Sequence, residues 1–365
     1  IVSRGLGDVY KRQVLVGISG GVDSSVAAAL LKDEGYQVTG AFMKNWEDDD
    51  GTPYCSVKED FLDAASVCDI LKIDLIDLNF SQEYRDNVFS HFIEGLENGR
   101  TPNPDIFCNS FIKFKEFFNY AKKNNFDYIA TGHYCDLDIS TKDTFLVKAL
   151  DDNKDQTYFL GDINKNVLDH CLFPLGKLLK KDVRKIAEAR KLITFNKKDS
   201  TGICFIGERP FPEFLSKYVP IKKGEIIDEN NQKIGTHNGT HFFTLGQRQG
   251  LGIGGVKDAE ERPWYVAKKD HLNNTLTVVQ DNRHPLLFKS ELKVKKINWL
   301  VNELPDLENI CAKIRYRQKD QICSVIDKKE YWNVEFKEPQ RAITPGQMIV
   351  FYKDNICLGG GEIDH

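Results

Sequence analysis

A short string rich in glycine and serine is the strongest sign of chemistry in the sequence: Ser19-Gly20-Gly21-Val22-Asp23-Ser24-Ser25. It follows an apolar run that predicts a strand, and it precedes a pattern that predicts a helix over 23–34. Glycines let the backbone curl around an anion, and the amides of a helix N-terminus point at that anion. No lysine follows, so the string is not the G-x-x-x-x-G-K-S/T loop, which holds the β- and γ-phosphates of a nucleotide when the γ-phosphoryl group is transferred. The alternative is an ordinary strand–helix turn with a Ser or Asp cap.

Two of the nine cysteines lie in segments typical of reactive thiols. Cys108 follows a loop stiffened by two prolines and stands at the start of a predicted helix, where the helix dipole lowers a thiol pKa. Cys204 lies in a glycine-flanked loop, which suits the close approach of another reactant. Asp105, three residues before Cys108, is a candidate helix cap or proton carrier. The alternative for both thiols, and the expected role of the other seven, is that of a small buried hydrophobic residue.

Composition limits the classes of protein to which the chain can belong. It has 365 residues, of which 41% are hydrophobic and 28% charged, so a large core and about two or three domains are expected. An odd number of cysteines without any C-x-x-C disfavours a disulfide framework, a zinc ribbon and an iron–sulfur cluster, and it favours reduced cytoplasmic thiols. The apolar runs are too short to span a bilayer.

The net charge of −4 does not by itself indicate a nucleic-acid partner, but the charge is unevenly distributed. Residues 176–198 hold nine basic residues against two acidic ones. A local basic surface on an acidic protein can hold a polyanion such as an RNA backbone. The alternative is a solvated helix face.

The order of predicted elements indicates the fold class. Strands are predicted at 14–18, 37–43, 73–80 and 127–131, and helices at 23–34, 57–71, 83–97 and 109–124. This alternation predicts an α/β domain with a doubly wound, mostly parallel sheet. After about residue 210, short runs of period two between turns, among them strands expected over 292–299 and 310–317, predict a small β-rich central domain and a C-terminal β-barrel. The expected domains are 14–209, 210–281 and 282–365, and residues 1–13 are expected to be a non-native or disordered leader.

The glycine–serine string resembles the PP-loop of the N-type ATP pyrophosphatases, which adenylate a carbonyl oxygen and release pyrophosphate. Further segments follow it in order: residues 42–46, 101–109, 130–134, 154–156, 199–208, 245–255 and 358–361. Together they closely resemble the tRNA-specific 2-thiouridylase family of the MnmA type, from about residue 14 to the C-terminus. The resemblance implies an adenine nucleotide alpha hydrolase-like fold for the first domain.

The resemblance also implies the activity of a tRNA-uridine 2-sulfurtransferase. Such an enzyme replaces O2 of the wobble uridine 34 by sulfur after ATP-dependent adenylation of that oxygen, giving 2-thiouridine, AMP and pyrophosphate. Cys204 would carry a persulfide delivered by a sulfur-relay donor protein, and its terminal sulfur would attack the activated C2 or be released as hydrosulfide that attacks C2. Cys108 would be the partner nucleophile that closes a Cys108–Cys204 disulfide, and Asp105 would be the general acid or base.

Two sets of binding residues follow from the same resemblance. ATP, with Mg²⁺ on its phosphates, would be held by Gly17, Ile18, Ser19, Gly20, Gly21, Val22, Asp23, Ser24, Met43 and Gly132. The tRNA would contact Asn103, Pro104 and Asp105 at the target base, and His133, Lys154, Asp155, Gln156, Arg315, Tyr316 and Gln347 elsewhere. Arg315 and Tyr316 fall on a predicted strand that interleaves cationic and aromatic groups. No resident metal, zinc site or iron–sulfur cluster and no membrane are expected, and the family suggests a cytoplasmic monomer.

Two other functions remain as alternatives. One is a PP-loop synthetase or amidotransferase acting on a small molecule, which needs no cysteine pair. The other is a non-catalytic RNA-binding protein that uses ATP only as a structural ligand. Pyrophosphate release that depends on tRNA distinguishes a tRNA-modifying enzyme from both.

Overall fold

The computed structural model describes residues 12–47, 57–139, 143–199, 211–253 and 262–364. The chain divides into two compact units built from interleaved segments. The first unit comprises residues 1–84, 108–157 and 163–207, and the second comprises residues 85–107, 158–162 and 208–365. Within the described ranges, no helix has both the length and the apolar character that crossing a bilayer requires.

A parallel sheet forms the centre of the first unit. The strands of this unit are β1 (Gln13–Gly17), β2 (Gln37–Lys44), β3 (Leu75–Asn79), β4 (Tyr128–Ala130), β5 (Cys135–Asp138), β6 (Phe145–Lys148) and β7 (Cys171–Leu172). Five of them form the sheet, in the order β3-β2-β1-β4-β7, and β5 and β6 pair as an antiparallel hairpin. Val14, Leu15 and Val16 of β1 are fully buried, as expected for a parallel sheet covered on both faces.

Helices connect the strands of this sheet. In chain order, the α-helices within the described ranges are α1 (Val22–Asp33), α2 (Val57–Leu71), α3 (Ser81–Tyr84), α4 (Ser90–Glu97), α5 (Pro104–Phe107), α6 (Phe117–Lys123), α7 (Lys180–Ala189) and α8 (Phe211–Leu215). The segments Arg85–Phe89 and Cys108–Glu116 are π-helical. In the first unit, α1 joins β1 to β2. Its small buried residues, Ala27 among them, belong to the same core as Val14 and Val16, so the helix packs closely on the sheet.

The second unit is mainly antiparallel. Its strands are β8 (Gly224–Ile227), β9 (Lys233–His237), β10 (Trp264–Asp270), β11 (Thr275–Gln280), β12 (Phe288–Val294), β13 (Asn298–Trp299), β14 (Ile310–Lys313), β15 (Gln321–Asp327), β16 (Trp332–Arg341), β17 (Met348–Lys353) and β18 (Ile356–Glu362). A central sheet has the order β10-β11-β8-β9, and a C-terminal sheet has the order β12-β16-β15-β14-β17-β18, with β13 paired to β18. In the central sheet, only the pairing of β11 with β8 is parallel.

These sheets confirm the predicted fold class, while four predicted elements differ from the structure. The helix expected at 83–97 is interrupted by the π-helical segment Arg85–Phe89. The strand expected over 310–317 ends at Lys313, because a turn follows in which Arg317 adopts a left-handed φ of 64°. The strand expected over 292–299 is two strands, β12 and β13. The helix expected at 109–124 belongs to a helical run that starts with α5 at Pro104, is π-helical over Cys108–Glu116 and ends with α6 at Lys123. The domain boundaries stay a prediction, and residues 1–11 lie outside the described ranges.

Candidate active site

The glycine–serine string forms a tight turn between β1 and α1. Gly20 has φ +73°, and a Cβ there would lie 2.3 Å from the carbonyl oxygen of Asp60 in α2, so no other residue fits without a backbone shift. Gly21 occupies the N-cap position of α1, with φ −99° and ψ 163°. Since Gly21 has no side chain that could cap the helix, the first amides of α1 suit an anionic acceptor.

Serine hydroxyl groups shape this turn from within. Ser24 Oγ accepts a hydrogen bond from the Ser19 amide (3.2 Å) and donates to the Gly21 carbonyl (3.1 Å). Ser25 Oγ donates to the same carbonyl at 2.7 Å and pairs with the hydroxyl of Thr194 at 3.1 Å. These bonds fix the backbone of the turn, so its amide groups are pre-organised toward a bound anion.

The ends of three neighbouring strands meet at the turn. A Cβ on Gly132, two residues after β4, would lie 2.7 Å from the Ser24 amide nitrogen. A Cβ on Gly17, at the end of β1, would lie 3.0 Å from the terminal methyl group of Met43 in β2. The chain leaves β1 toward β2 on one side and reaches β4 on the other, which makes this edge the switch point where doubly wound sheets bind ligands. The structure therefore brings together the residues predicted to hold ATP.

An ion cluster lies beside the turn, and we call it the Lys180 cluster: Asp23, Tyr134, Lys154, Lys180, Arg184 and Asp199. The Lys180 ammonium contacts both carboxylate oxygens of Asp23 (2.8 and 2.7 Å) and Oδ1 of Asp199 (2.8 Å), and its side chain is only 13% exposed. The Tyr134 hydroxyl donates to Asp23 at 2.8 Å. Sequence reasoning missed this bridge, because Lys180 lies 157 residues from Asp23 and no local pattern reports such a pairing.

Asp199 is held by three cations. Lys154 Nζ approaches its Oδ2 at 2.6 Å, and Arg184 approaches its Oδ1 at 2.8 Å, in addition to Lys180. Burial disfavours the charged form, but the hydrogen bonds and charges of Lys154 and Lys180 outweigh it and lower the pKa of Asp199 to about 2. Asp199 is the last described residue before the segment that contains Cys204. Cys204 itself lies outside the described residues.

Lys197 anchors the turn from the other side. Its ammonium donates to the Gly20 carbonyl at 3.0 Å and to Asp60 at 2.8 Å, and it also pairs with Asp63. Burial opposes its charge, but the two carboxylates prevail and raise the pKa of Lys197. Much of the basic stretch over 176–198 is thus neutralised internally, while Lys181 and Lys185 of α7 remain exposed.

The predicted helix start at Cys108 is wrong. The helical run begins at Pro104, so Cys108 lies a full turn inside it, where the effect of the helix dipole has faded. Its side chain is fully buried. The cap is Asn103 rather than Asp105, because the Asn103 side-chain oxygen accepts the Asp105 amide at 3.1 Å. Asparagine at the cap followed by proline at the first helical position is a favourable helix start.

Several residues predicted to contact tRNA make internal bonds in the first unit. His133 is buried, and its Nδ1 pairs with the Thr131 hydroxyl at 2.8 Å. Burial, and secondarily the charge of Lys113, lowers the pKa of His133 well below its ordinary value. Asp155 is buried and accepts from Thr157, and the Gln156 side-chain oxygen accepts the Tyr134 amide at 2.9 Å.

The predicted tRNA contacts of the second unit are similarly engaged. Arg315 donates to the carbonyls of Leu245 and Ala342 and to the Thr344 hydroxyl, each at 3.0 Å. The ring of Tyr316 packs on Phe159 with centroids 4.5 Å apart, and the Arg317 guanidinium lies 5.3 Å from the centre of the Tyr316 ring. Gln347 donates to the carbonyl of Thr101.

The remaining described cysteines are mostly packed in the interior. Cys68, Cys135, Cys171, Cys323 and Cys357 are buried, and Cys311 is half-buried. Burial raises the pKa of Cys68 to about 11 and that of Cys323 to about 12, so these thiols are poor nucleophiles. Across the described part of the chain, no group of three or more His, Cys, Asp or Glu side chains is arranged to hold a metal ion.

A glycine turn without a helix-capping side chain, at the switch point of a doubly wound parallel sheet, is typical of α/β proteins that bind an anionic ligand at this edge. Family models match three consecutive segments: a tRNA methyl transferase HUP domain (residues 12–208), a tRNA methyl transferase PRC-barrel domain (212–280) and an aminomethyltransferase beta-barrel domain (289–363). The chain is also 56% identical over 355 residues to proteins named tRNA-specific 2-thiouridylase MnmA from Francisella tularensis subsp. tularensis (strain WY96-3418) and subsp. novicida (strain U112). Each match covers 96% of this chain and 99% of the relative. The chain belongs to the tRNA-specific 2-thiouridylase family.

Likenesses to solved structures are weaker. The U34-tRNA thiolase NcsA from Methanococcus maripaludis, with its [4Fe-4S] cluster, is 19% identical with a TM-score of 0.35, covering 59% of this chain and 69% of that one. NMN synthetase from Francisella tularensis is 18% identical with a TM-score of 0.34, covering 56% and 71%. We draw nothing about function from these two likenesses.

Proposed function

We propose that this protein is a tRNA 2-thiouridylase, which replaces O2 of the wobble uridine 34 of tRNA by sulfur. The observation that carries the proposal is the glycine turn, packed against Gly132 at the N-terminus of α1, in a chain that is 56% identical to proteins named tRNA-specific 2-thiouridylase MnmA. The resemblance to this family implies that Cys108, Cys204 and Asp105 are its reactive residues. A uracil carbonyl oxygen is a poor leaving group, so such an exchange needs both activation of the oxygen and a sulfur nucleophile.

The residues at the turn fit ATP. Gly20 and Gly21 carry no side chain that would cover the turn, and the α1 amides suit phosphate. Gly17 and Gly132 let the ends of β1 and β4 pack closely against Met43 and the start of α1. The proposed ligands are those that the family resemblance implies: Gly17, Ile18, Ser19, Gly20, Gly21, Val22, Asp23, Ser24, Met43 and Gly132, with Mg²⁺ on the phosphates. When bound, ATP supplies an adenylyl group for O2 of the uridine, so that AMP becomes the leaving group and pyrophosphate is released.

Sulfur transfer would use both cysteines. Cys204 carries a persulfide received from a sulfur-relay donor protein, and the terminal sulfur attacks C2 of the activated uridine as AMP departs. The Cys108 thiolate then attacks Sγ of Cys204, which breaks the sulfur–sulfur bond, leaves the outer sulfur on C2 and closes a Cys108–Cys204 disulfide. Two electrons from a reductant and a new persulfide restore the enzyme. Asp105 is the proposed general acid or base for these proton movements.

Contacts with tRNA are proposed in two groups. Asn103, Pro104 and Asp105 face the target base, which a single-stranded anticodon loop can extrude at low cost. Tyr316, supported by Phe159 and Arg317, offers a ring for base stacking. His133, Lys154, Asp155, Gln156 and Arg315 are internally bonded, so we propose that they hold tRNA-facing segments in place. The enzyme is proposed to act as a cytoplasmic monomer.

The test combines ATP, unmodified tRNA and a sulfur source with the purified protein, followed by mass spectrometry of the tRNA nucleosides. The expected result is 2-thiouridine together with tRNA-dependent pyrophosphate release. Cys108→Ser and Cys204→Ser should abolish 2-thiouridine while ATP binding persists, and Cys311→Ser in β14 is the matched control. Pyrophosphate release without tRNA would favour a small-molecule synthetase, and the absence of any release would favour a binding protein.

A further inference from the structure

The segment just before Asn103 is held by the C-terminal part of the second unit. The Thr101 amide donates to the Pro345 carbonyl at 2.9 Å, and the Gln347 side chain donates to the Thr101 carbonyl. Lys269 Nζ reaches the Thr101 hydroxyl at 3.3 Å. Thr101 is therefore bonded through its amide, its carbonyl and its side chain.

Arg100 adds an ionic contact with the C-terminal strand β18. Its guanidinium pairs with Glu362 at 2.6 Å and with Asp364 at 2.9 Å, and it donates to the Ile363 carbonyl at 2.9 Å. The Arg100 side chain is 20% exposed, so these bonds are only partly screened by water. Guanidinium geometry suits this set of acceptors, because its N–H groups form a fixed planar fork.

The backbone of residues 345–347 allows the 100–101 segment to approach closely. Gly346 adopts φ +93°, and a Cβ there would lie 2.6 Å from the Thr101 amide nitrogen. Glycine is required at this position, because any side chain would push the 100–101 segment away from residues 345–347. Two residues further on, the Asn103 cap and the fixed φ of Pro104 leave the chain little freedom before Asp105.

We infer that Arg100 and Gln347 are positioning residues, which fix the Asn103–Asp105 segment by clamping Arg100 and Thr101 to residues 345–364. The inference rests on the proposed function, in which Asn103–Asp105 face the target uridine. It also changes the expected role of Gln347. The side chain acts through Thr101, because its amide donates to the Thr101 carbonyl.

The test separates positioning from tRNA binding. Gln347→Ala and Arg100→Gln are compared with wild type in single-turnover thiolation, together with the tRNA Kd and its salt dependence. We expect the rate at saturating tRNA to fall about 10- to 100-fold, because misplacement of a reacting group by about 1 Å has this cost. The tRNA Kd should stay within about twofold, with an unchanged salt slope. Lys295→Gln is the control, because Lys295 touches Asp364 at 3.4 Å but is 75% exposed.

Two results would overturn the inference: a higher tRNA Kd with a normal saturating rate in Gln347→Ala, or no effect of either variant. If Arg100→Gln does not fold, the thiolation rate and tRNA Kd of Gln347→Ala alone test the inference. If wild type makes no 2-thiouridine, the proposed function fails. The contacts that clamp Arg100 and Thr101 to residues 345–364 can still be tested by hydrogen exchange, which does not depend on activity. The amides of residues 101–105 should then exchange faster in Gln347→Ala than in wild type, and equal rates would refute the clamp.

Discussion

Replacing Lys180 by methionine tests the electrostatics of the Lys180 cluster most sharply. The substitution keeps most of the side-chain volume but removes the charge that separates the Asp23 and Asp199 carboxylates. Breaking a fully buried ion pair costs about 3–5 kcal/mol. Lys180 is 13% exposed, but Asp23 and Asp199 are 32% and 33% exposed, so solvent screening reduces the expected loss to about 2 kcal/mol.

The pH dependence of this loss follows from the lowered pKa of Asp199. Because that pKa is about 2 in the folded protein, the carboxylate stabilises the fold above its ordinary pKa of 3.8, and this contribution is lost as the pH falls toward 2. The deficit of Lys180→Met should therefore be full between pH 5 and pH 8, on the order of 2 kcal/mol. It should shrink below about pH 4, where the contribution of the Asp199 carboxylate is progressively lost.

Urea unfolding followed by circular dichroism at 222 nm measures this deficit, since helices α1, α2 and α7 of the first unit contribute to that signal. The control is Lys233→Met, which breaks a pair with Glu225 whose side chains are 54% and 56% exposed, and it should cost less than about 1 kcal/mol. A Lys180→Met protein as stable as wild type, or a deficit that grows on acidification, would refute the reasoning.

Three further predictions concern the turn, His133 and helix α7. Gly20→Ala should lower the free energy of unfolding by more than about 2 kcal/mol, because the new Cβ would meet the Asp60 carbonyl. In Gly21→Ala the atom nearest to the new Cβ is 3.4 Å away, so this variant should keep its melting temperature. It should nevertheless bind ATP more weakly in calorimetry. Normal ATP binding by Gly21→Ala would contradict the phosphate role. The imidazole of His133 should stay neutral from pH 8 to pH 5.5 in nitrogen-15 NMR, because burial lowers its pKa, and a midpoint near 6.5 would contradict this. Lys181→Glu combined with Lys185→Glu should weaken tRNA binding and flatten its salt dependence, and an unchanged slope would mean that this exposed face is only solvated.

The sequence predicted the local features of the site well. Strand, glycine turn and helix follow one another within about twenty residues, and the period of apolar residues distinguishes β1 from α1. The same local signals predicted helix α2 over 57–71, the bounds that the structure gives. Gly17 and Gly132, in contrast, were assigned to the ATP site through the resemblance to the family, and in the structure a Cβ at either position would crowd a neighbouring atom.

Features that depend on contacts between residues far apart in the sequence could not be predicted. The bridge from Lys180 to Asp23 and Asp199, and the pairing of Lys197 with Asp60, join residues that no periodic pattern relates. For the same reason, a basic stretch that suggested an RNA surface is in large part an internal ion network. The sequence did not predict the turn at 314–317, because residues that favour strands continue past Lys313. In the structure, the Gln318 side-chain oxygen accepts a hydrogen bond from the Ile314 amide, and the strand ends there.

The most direct test of the central claim is a search for the Cys108–Cys204 disulfide after one turnover. The persulfide-loaded protein is mixed with ATP and unmodified tRNA, alkylated, digested and analysed by mass spectrometry alongside the tRNA nucleosides. We expect one disulfide-linked peptide pair for each 2-thiouridine formed, and we expect neither the disulfide nor 2-thiouridine when ATP is left out. Formation of 2-thiouridine at the wild-type rate by Cys108→Ser, or turnover in which both cysteines remain alkylatable, would contradict it.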